Sequence, residues 1–395
     1  MRLPSYAEVD LRGRKVLLRV DFNVPVEGGK VTNDFRLRMT IPTLTELRHR
    51  GAGLIIISHL GRPKGKREPK LSLAPVANAL SGLLERRVMF VDDIVGSKAK
   101  MAAAALKEGE IMVLENLRFD PREEKNDADF AKALASLAAV YVNDAFGTLH
   151  RAHASVEAIT RFIPSYAGPL VLKETDVLLR LSTSPAHPFV VLLGGAKVED
   201  KINLVEKFIE RADKVLIGGA MAYTFLKAQG IPIGRSRYDP KSIESVSRAL
   251  KSSKQNGDKL FLPVDHIVVK SIEGDEVPQV SEGMIPEGYI GVDIGPRTIE
   301  RYRVAMRGAK TILWNGPMGV FEVERFSKGT MAMARAIGRS RAYTVLCGGD
   351  TISAVELYGN IDRLSYVSTG GGAALEFLEN PQLPGIKALL RQKEF

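Results

Sequence analysis

The chain has 395 residues, 45% hydrophobic and 26% charged, with a net charge of +10 and a sequence pI near 9.5. At roughly 100–200 residues per domain this is room for two or three domains, each with its own core. No apolar run approaches the roughly 18 residues of a membrane span, Met1–Lys15 lacks a signal-peptide core, and the single cysteine, Cys347, allows no internal disulfide, so a cytoplasmic protein is expected.

The basic excess admits nucleic acid, an anionic small substrate, or a solvated basic surface. The first half alternates strands and helices. Lys15–Phe22 reads as an apolar strand ending near Asp21 and Asn23. Gly53–Ser58 ends at His59, with Arg62 beyond. Arg87–Val91 follows, then Glu110–Leu114 leading to Arg118, and Ala139–Val142 leading past Asp144 to Arg151. Helical patterns fall between them at Phe35–Arg50, Ala74–Leu84, Ser97–Lys107 and Asp127–Leu137, the first opened by Arg36. Such alternation predicts a doubly wound parallel sheet, whose ligands collect beyond the carboxyl ends of the strands. Arginines and a histidine recur at those ends, which points to an anion site. A single arginine on a loop is usually only solvated.

Leu170–Leu181 reads as a helix joining two domains, followed by the loop STSPAHP. The second half then opens on Phe189–Lys201, FVVLLGGAKVEDK. Its five apolar residues predict a buried strand stopped by two glycines. Lys197 and Lys201, four apart, are expected on one face of a helix's first turns, where amides and ammonium groups would receive phosphate. The plainer reading is an ordinary strand, turn and helix with solvated lysines. Further strands end in glycine: Lys214–Ile217, Lys310–Trp314, Tyr343–Cys347 before Gly348, Gly349, Asp350 and Thr351, and Ser365–Ser368 before Gly370–Gly372. The common phosphate loop G-x-x-x-x-G-K-[ST] and the dinucleotide fingerprint G-x-G-x-x-G are both absent.

Stretches spread over nearly the whole chain resemble the phosphoglycerate kinase family. They are RVDFNVP at Arg19–Pro25, SHLGRP at Ser58–Pro63, ENLRF at Glu115–Phe119, EEKND at Glu123–Asp127 and HRAHAS at His150–Ser155. GGAKVEDK at Gly194–Lys201, WNGPMGVFE at Trp314–Glu322, GGDT at Gly348–Thr351 and STGGG at Ser368–Gly372 complete the set. The departures are mild: Ala374 stands where serine is expected, and Val156–Phe162 is less typical.

The resemblance implies two doubly wound, Rossmann-like domains joined by a helix, with a cleft between them. Residues 1–165 with the tail 380–395 would bind 3-phosphoglycerate or 1,3-bisphosphoglycerate. Residues 166–184 would form the joining helix and hinge, and 185–379 would bind Mg-ADP or Mg-ATP. Asp21, Asn23, Arg36, His59, Arg62, Arg118 and Arg151 would hold the glycerate ligand. Lys197 and Lys201 would face the phosphoryl group in transit, with Gly371 and Gly372 offering amides. Gly291 would lie near the adenine, Glu322 would bond the ribose, Gly348, Gly349 and Thr351 would hold phosphates, and Asp350 would bind Mg2+. A monomer without nucleic-acid or membrane partners is expected.

The residue types suit that chemistry. The acceptor carboxylate is ionised near neutral pH, so no general base is required, and no nucleophile–base set is evident. Two anionic substrates repel by about 4 kcal/mol per charge pair at roughly 4 Å and an effective dielectric near 20. Arg36, Lys197 and Lys201 would offset this. His59, His150 and His153 lack convergent metal-ligand spacing and fit hydrogen-bonding or packing roles. A nucleic-acid binder should interleave basic residues with exposed aromatics, yet aromatics are only 7% of the chain. A nicotinamide oxidoreductase should carry the missing fingerprint. A catalytically dead relative should have vacated ligand positions, and all are filled.

Overall fold

The computed structural model describes residues 1–391; residues 392–395, the end of the expected tail, lie outside the described residues. The chain divides into two compact units, Met1–Leu178 with the tail from Asn380, and Leu179–Glu379.

In the first unit the elements run β1 (Lys15–Arg19), β2 (Val26–Glu27), β3 (Lys30–Val31), α1 (Phe35–His49), β4 (Gly53–Ile57), α2 (Ala74–Leu83), β5 (Met89–Val91), α3 (Ser97–Ala105), β6 (Ile111–Leu114), α4 (Pro121–Glu124), α5 (Ala128–Ala135), β7 (Val140–Asn143) and β8 (Ser165–Ala167). Its sheet is parallel, in the order β5-β6-β4-β1-β7-β8. Helices cover both faces, so successive residues of each strand enter different cores. Val16 and Leu18 pack in one, Leu17 in the other; Leu54 and Ile56 oppose Ile55 and Ile57 in the same way. This two-sided burial is why the strands read as unbroken apolar runs. Each fully buried Val, Leu or Ile contributes roughly 1.5–3 kcal/mol.

Helix α6 (Pro169–Thr183) carries the chain across the boundary between the units. Its first turn is fixed by Asp144, whose Oδ1 accepts the amides of Leu170 and Val171 at 2.7 and 3.2 Å while Oδ2 accepts the Thr43 hydroxyl at 2.6 Å. Burial raises the Asp144 carboxyl to about 6.

The second unit contains β9 (Phe189–Leu193), α7 (Ile202–Arg211), β10 (Lys214–Ile217), α8 (Met221–Ala228), α9 (Ile243–Gln255), β11 (Leu260–Phe261), β12 (Asp265–Val269), β13 (Gln279–Glu282), β14 (Ile290–Ile294), α10 (Pro296–Met306), β15 (Thr311–Asn315), α11 (Lys328–Gly338), β16 (Tyr343–Cys347), α12 (Gly349–Tyr358), β17 (Tyr366–Val367) and α13 (Gly372–Glu379). Its parallel sheet runs β11-β10-β9-β15-β16-β17, and a small antiparallel sheet runs β13-β12-β14. The tail then forms α14 (Pro384–Leu390) on the first unit, where the Gly385 amide donates to Leu149 O at 2.9 Å.

Two expectations need correction. The antiparallel sheet is not anticipated by a simple strand–helix alternation, because β13, QVSE, is largely exposed and lacks an apolar stripe. Lys197 and Lys201 do not share a helix face. Helix α7 starts at Ile202, with Lys201 as its cap, and Lys197 is exposed on the preceding loop. The buried face of α7 (Ile202, Val205, Ile209, with Leu204 and Phe208 alongside) begins only there, and the turn before it is anchored by buried Val198.

Candidate active site

In a doubly wound sheet the crevice opens where the strand order reverses. In the first unit that point lies between β1 and β7, because the chain runs from β1 to β4 on one side and returns to β7 on the other. The loop after β1 brings Asp21 and Asn23 there. Arg36, in the first turn of α1, donates through Nη1 to Asp21 Oδ2 at 2.7 Å and to Asn23 O at 3.3 Å. Asn23 Oδ1 accepts the Gly61 amide at 2.9 Å, and Arg118 donates to Gly61 O at 2.7 Å. The loops after β1, β4 and β6 are thereby tied together. Asn116 stitches the last of them, donating to Leu60 O at 2.7 Å and accepting the Arg118 amide at 3.1 Å.

His59 sits buried after β4. Burial first, then the charges of Arg19, Arg118, Arg36 and Arg151, hold it well below the ordinary imidazole value, so it is neutral. Arg19 has no lone pair to accept with, so its Nη2, 3.2 Å from His59 Nδ1, donates to it. The remaining proton therefore sits on Nε2, leaving His59 a neutral donor. Burial lowers His150 to about 4 and His153 to about 3, and pushes Arg118 down to about 10, with neighbouring arginines acting in the same direction. Buried imidazoles and a guanidinium pushed down by burial and by neighbouring arginines mark a site short of negative charge.

Arg19 has no role assigned in the sequence reading, yet it supports this cluster. It is 1% exposed, and its Nε donates to Ser155 Oγ at 3.0 Å while Ser155 donates to buried Glu123 at 2.6 Å. A charged residue closing the apolar run KVLLR was the available signal. Arg151 lies among these charges, with its Nε 3.1 Å from His150 Nε2. Arg62 is exposed and makes no ion pair or side-chain hydrogen bond among the described residues.

In the second unit the order reverses between β9 and β15. The glycines after those strands meet there: the Gly194 amide donates to Asn315 O at 2.9 Å, and the Gly195 amide to Pro317 O at 2.8 Å. They border a cavity of about 300 Å³ lined by Lys197, Asp200, Lys201, Asn315, Gly348–Thr351, Gly371 and Gly372 among others. Lys201 donates to Gly194 O at 2.6 Å. Burial lowers its ammonium to about 8, opposed by the charges of Asp350 and Asp200. Thr351 Oγ1 accepts the Gly316 amide at 2.7 Å. Helix α12 begins at Gly349, so Asp350 and Thr351 belong to its first turn rather than to a loop before it. Asn315 Oδ1 is buried without a hydrogen-bond partner among the described residues.

Gly316 has to be glycine. Its φ is +93°, and a Cβ would collide with Gly194 O and lie 2.8 Å from Lys201 Nζ. Gly316→Ala is expected to destabilise this unit by at least ~2 kcal/mol. Urea unfolding reads this directly, and a loss below ~0.5 kcal/mol would show the turn to be more yielding than its geometry implies.

Gly291 and Glu322 do not line this cavity. Gly291 lies in β14 with its amide donating to Ser236 Oγ at 2.9 Å, and a Cβ there would meet the Tyr223 hydroxyl. Glu322 is exposed beyond β15.

An arginine cup on one doubly wound sheet and a lysine and glycine cradle on another define a protein built to receive two anionic, phosphate-bearing ligands. The comparisons with known proteins give the particular family. A family model described as phosphoglycerate kinase matches residues 6–381. The phosphoglycerate kinase of Leptospira biflexa is 49% identical over 395 residues, all of both chains, and that of Moorella thermoacetica 48% identical over 383 residues, 97% of this chain and 98% of its own. A solved phosphoglycerate kinase structure from Coxiella burnetii superposes with a TM-score of 0.88 at 39% identity, covering 99% of this chain and 100% of that one. One from Pyrococcus horikoshii gives 0.87 at 35% identity, covering 98% of each. The chain belongs to the phosphoglycerate kinase family. It is a phosphotransferase whose acceptor is a carboxyl group.

Proposed function

We propose that the chain transfers a phosphoryl group reversibly from 1,3-bisphosphoglycerate to Mg-ADP, giving 3-phosphoglycerate and ATP, with the glycerate ligand in the arginine cup and the nucleotide on the glycine edge. The observation that carries this reading is the pair of separate anion sites, each at the switch point of its own sheet. In the cup, Arg36, Arg118, Arg151 and Arg62 supply charge, and Asp21, Asn23 and neutral His59 supply orienting hydrogen bonds. In the cradle, Lys197, Lys201 and the amides of Gly371 and Gly372 face the phosphoryl group. Gly348, Gly349 and Thr351 hold the nucleotide phosphates, Glu322 bonds the ribose hydroxyls, and Gly291 lies by the adenine.

Mg2+ fits this donor set. Among the described residues no three His, Cys, Asp or Glu side chains cluster for a metal. Asp350 and Asn315 line the same cavity, and their side chains carry the hard oxygen donors that a cation shared with substrate phosphates takes. Bound there, the ion would neutralise phosphate charge.

Incubation with Mg-ATP and 3-phosphoglycerate in the presence of hydroxylamine tests the reaction. Hydroxamate is expected only when enzyme and both substrates are present. Its absence, with ATP binding still seen by calorimetry, would reject the carboxyl acceptor.

Two ligands on two units have to be brought in line and shielded from water before an acyl phosphate can be made. We therefore propose hinge closure about residues 164–184, in a cytoplasmic monomer. The described residues include no helix long and apolar enough to cross a membrane. Small-angle scattering should give a mass near 43.2 kDa and a smaller radius of gyration when both substrates saturate. Identical profiles with and without substrates would remove the hinge, and a doubled mass would remove the monomer.

A further inference from the structure

A second concavity in the Leu179–Glu379 unit takes no part in the proposed transfer. Its volume is about 690 Å³, against about 300 Å³ for the glycine cradle. It lies between the last turn of α10, the second half of α11, and the residues that precede β15 and β16. The cradle lies past the opposite, carboxyl ends of those strands. Five residues at ~3.3 Å each place the two sites roughly 16 Å apart along β15.

Six basic side chains surround this cavity: Arg303, Arg307, Lys310, Arg335, Arg339 and Arg341. Glu300 engages the first two, at 3.3 and 3.6 Å. The other four make no ion pair or side-chain hydrogen bond among the described residues. The local sequence explains this, since residues 325–349 contain no Asp or Glu. A solvated basic face would normally intersperse both signs of charge. Here four uncompensated cations converge on a concave wall, where the field is focused and counter-ions concentrate. The floor between them is kept low by Ala309, Ala332 and Ala336, and the volume falls in the ~300–1,000 Å³ range of small-molecule sites. Arginine's planar fork matches phosphate oxygens in pairs, which suits an anion with several phosphates better than a single small ion.

We infer that this cavity is a binding site for a compact anion carrying two or more phosphate groups, separate from the transfer site. Inorganic tripolyphosphate is the probe, and hydrogen exchange of the whole chain locates it. Peptides covering 303–310 and 332–341 should exchange roughly threefold more slowly with the probe, independently of any protection at 348–351. Arg335→Glu with Arg339→Glu should abolish the protection of the first two regions and leave that at 348–351. Ala332→Trp, which fills the cavity while keeping every charge, should abolish it as well.

Protection confined to 348–351 would overturn the inference. So would protection that survives Ala332→Trp, which would mean diffuse attraction to a charged surface, or protection that survives the double charge reversal. Sulfate at matched ionic strength should not reproduce the effect, and if it does the requirement for linked phosphates is lost. Arg335 and Arg339 are both exposed, so the charge reversal should leave turnover at saturating substrate unchanged and report on this cavity alone.

Discussion

Replacing Arg36 with alanine is expected to lower kcat by about 10³–10⁵-fold, the range seen when a charge-neutralising arginine is removed from phosphoryl transfer, which corresponds to about 4–7 kcal/mol. Its position supports both a large catalytic loss and a small structural one. The side chain is 28% exposed, in the first turn of α1, and it pairs with Asp21 at 2.7 Å. Partly exposed pairs of this kind typically stabilise by ~1 kcal/mol or less, so the unit should fold without it. The alternative is that Arg36 only positions Asp21 and the loop after β1. Arg36→Lys separates the two: lysine can keep the ion pair but cannot present two parallel donors to a phosphoryl group. If the role is positioning alone, the lysine variant should recover most of kcat and the alanine variant should raise KM for 3-phosphoglycerate. If the role is transfer, both should lose kcat. A retained kcat above about a tenth of wild type in the alanine variant would exclude Arg36 from the transfer step, given the ~10³-fold minimum expected.

Much of this architecture is legible in the chain because of how parallel sheets are built. Strands covered on both faces must be apolar at nearly every position, so β1, β4, β9 and β16 stand out as runs that end at polar or glycine residues. The polar residues just past those ends are then candidates by topology alone. What is not legible depends on contacts between distant segments. The neutral, Nε2-protonated state of His59 follows from a guanidinium forty positions earlier, on the strand that pairs with the β4 preceding His59. The antiparallel sheet is set by pairing of β12 with β14 and with β13, and β13 has little apolar pattern. The lysine pair departs from expectation for a different reason: a spacing of four fits a helix, but the buried positions of α7 begin only at Ile202. Periodicity of the apolar residues, not of the lysines, marks where that helix starts.

Lys201→Ala is expected to lower kcat by roughly 10²–10³-fold, the usual cost of removing one preorganised donor from developing charge. Lys197 offers less preorganisation, since it is exposed on a loop, whereas Lys201 is held by Gly194 O at 2.6 Å and capped over α7. A loss of rate alone would not separate contact with phosphate from support of the Gly194–Gly316 turn. Proton linkage does. Burial lowers the Lys201 ammonium from 10.5 to about 8, so the ligand-free protein loses this charge as pH rises through about 8. Bound phosphates favour the charged form and raise the value again. Nucleotide binding at pH near 8 should therefore take up as much as about half a proton. Near pH 6 the uptake from this lysine should vanish, because it is already protonated. Calorimetry in two buffers of different ionisation enthalpy measures the difference, and Lys201→Ala should abolish the uptake at the higher pH. The same shift has a folding consequence of fixed sign. Between about 8 and 10.5 the unfolded chain binds the proton and the folded chain does not, so this lysine makes stability rise with pH across that window, and nucleotide should flatten the rise. Equal proton uptake in wild type and variant would place Lys201 away from the phosphates and leave it as a support for the turn.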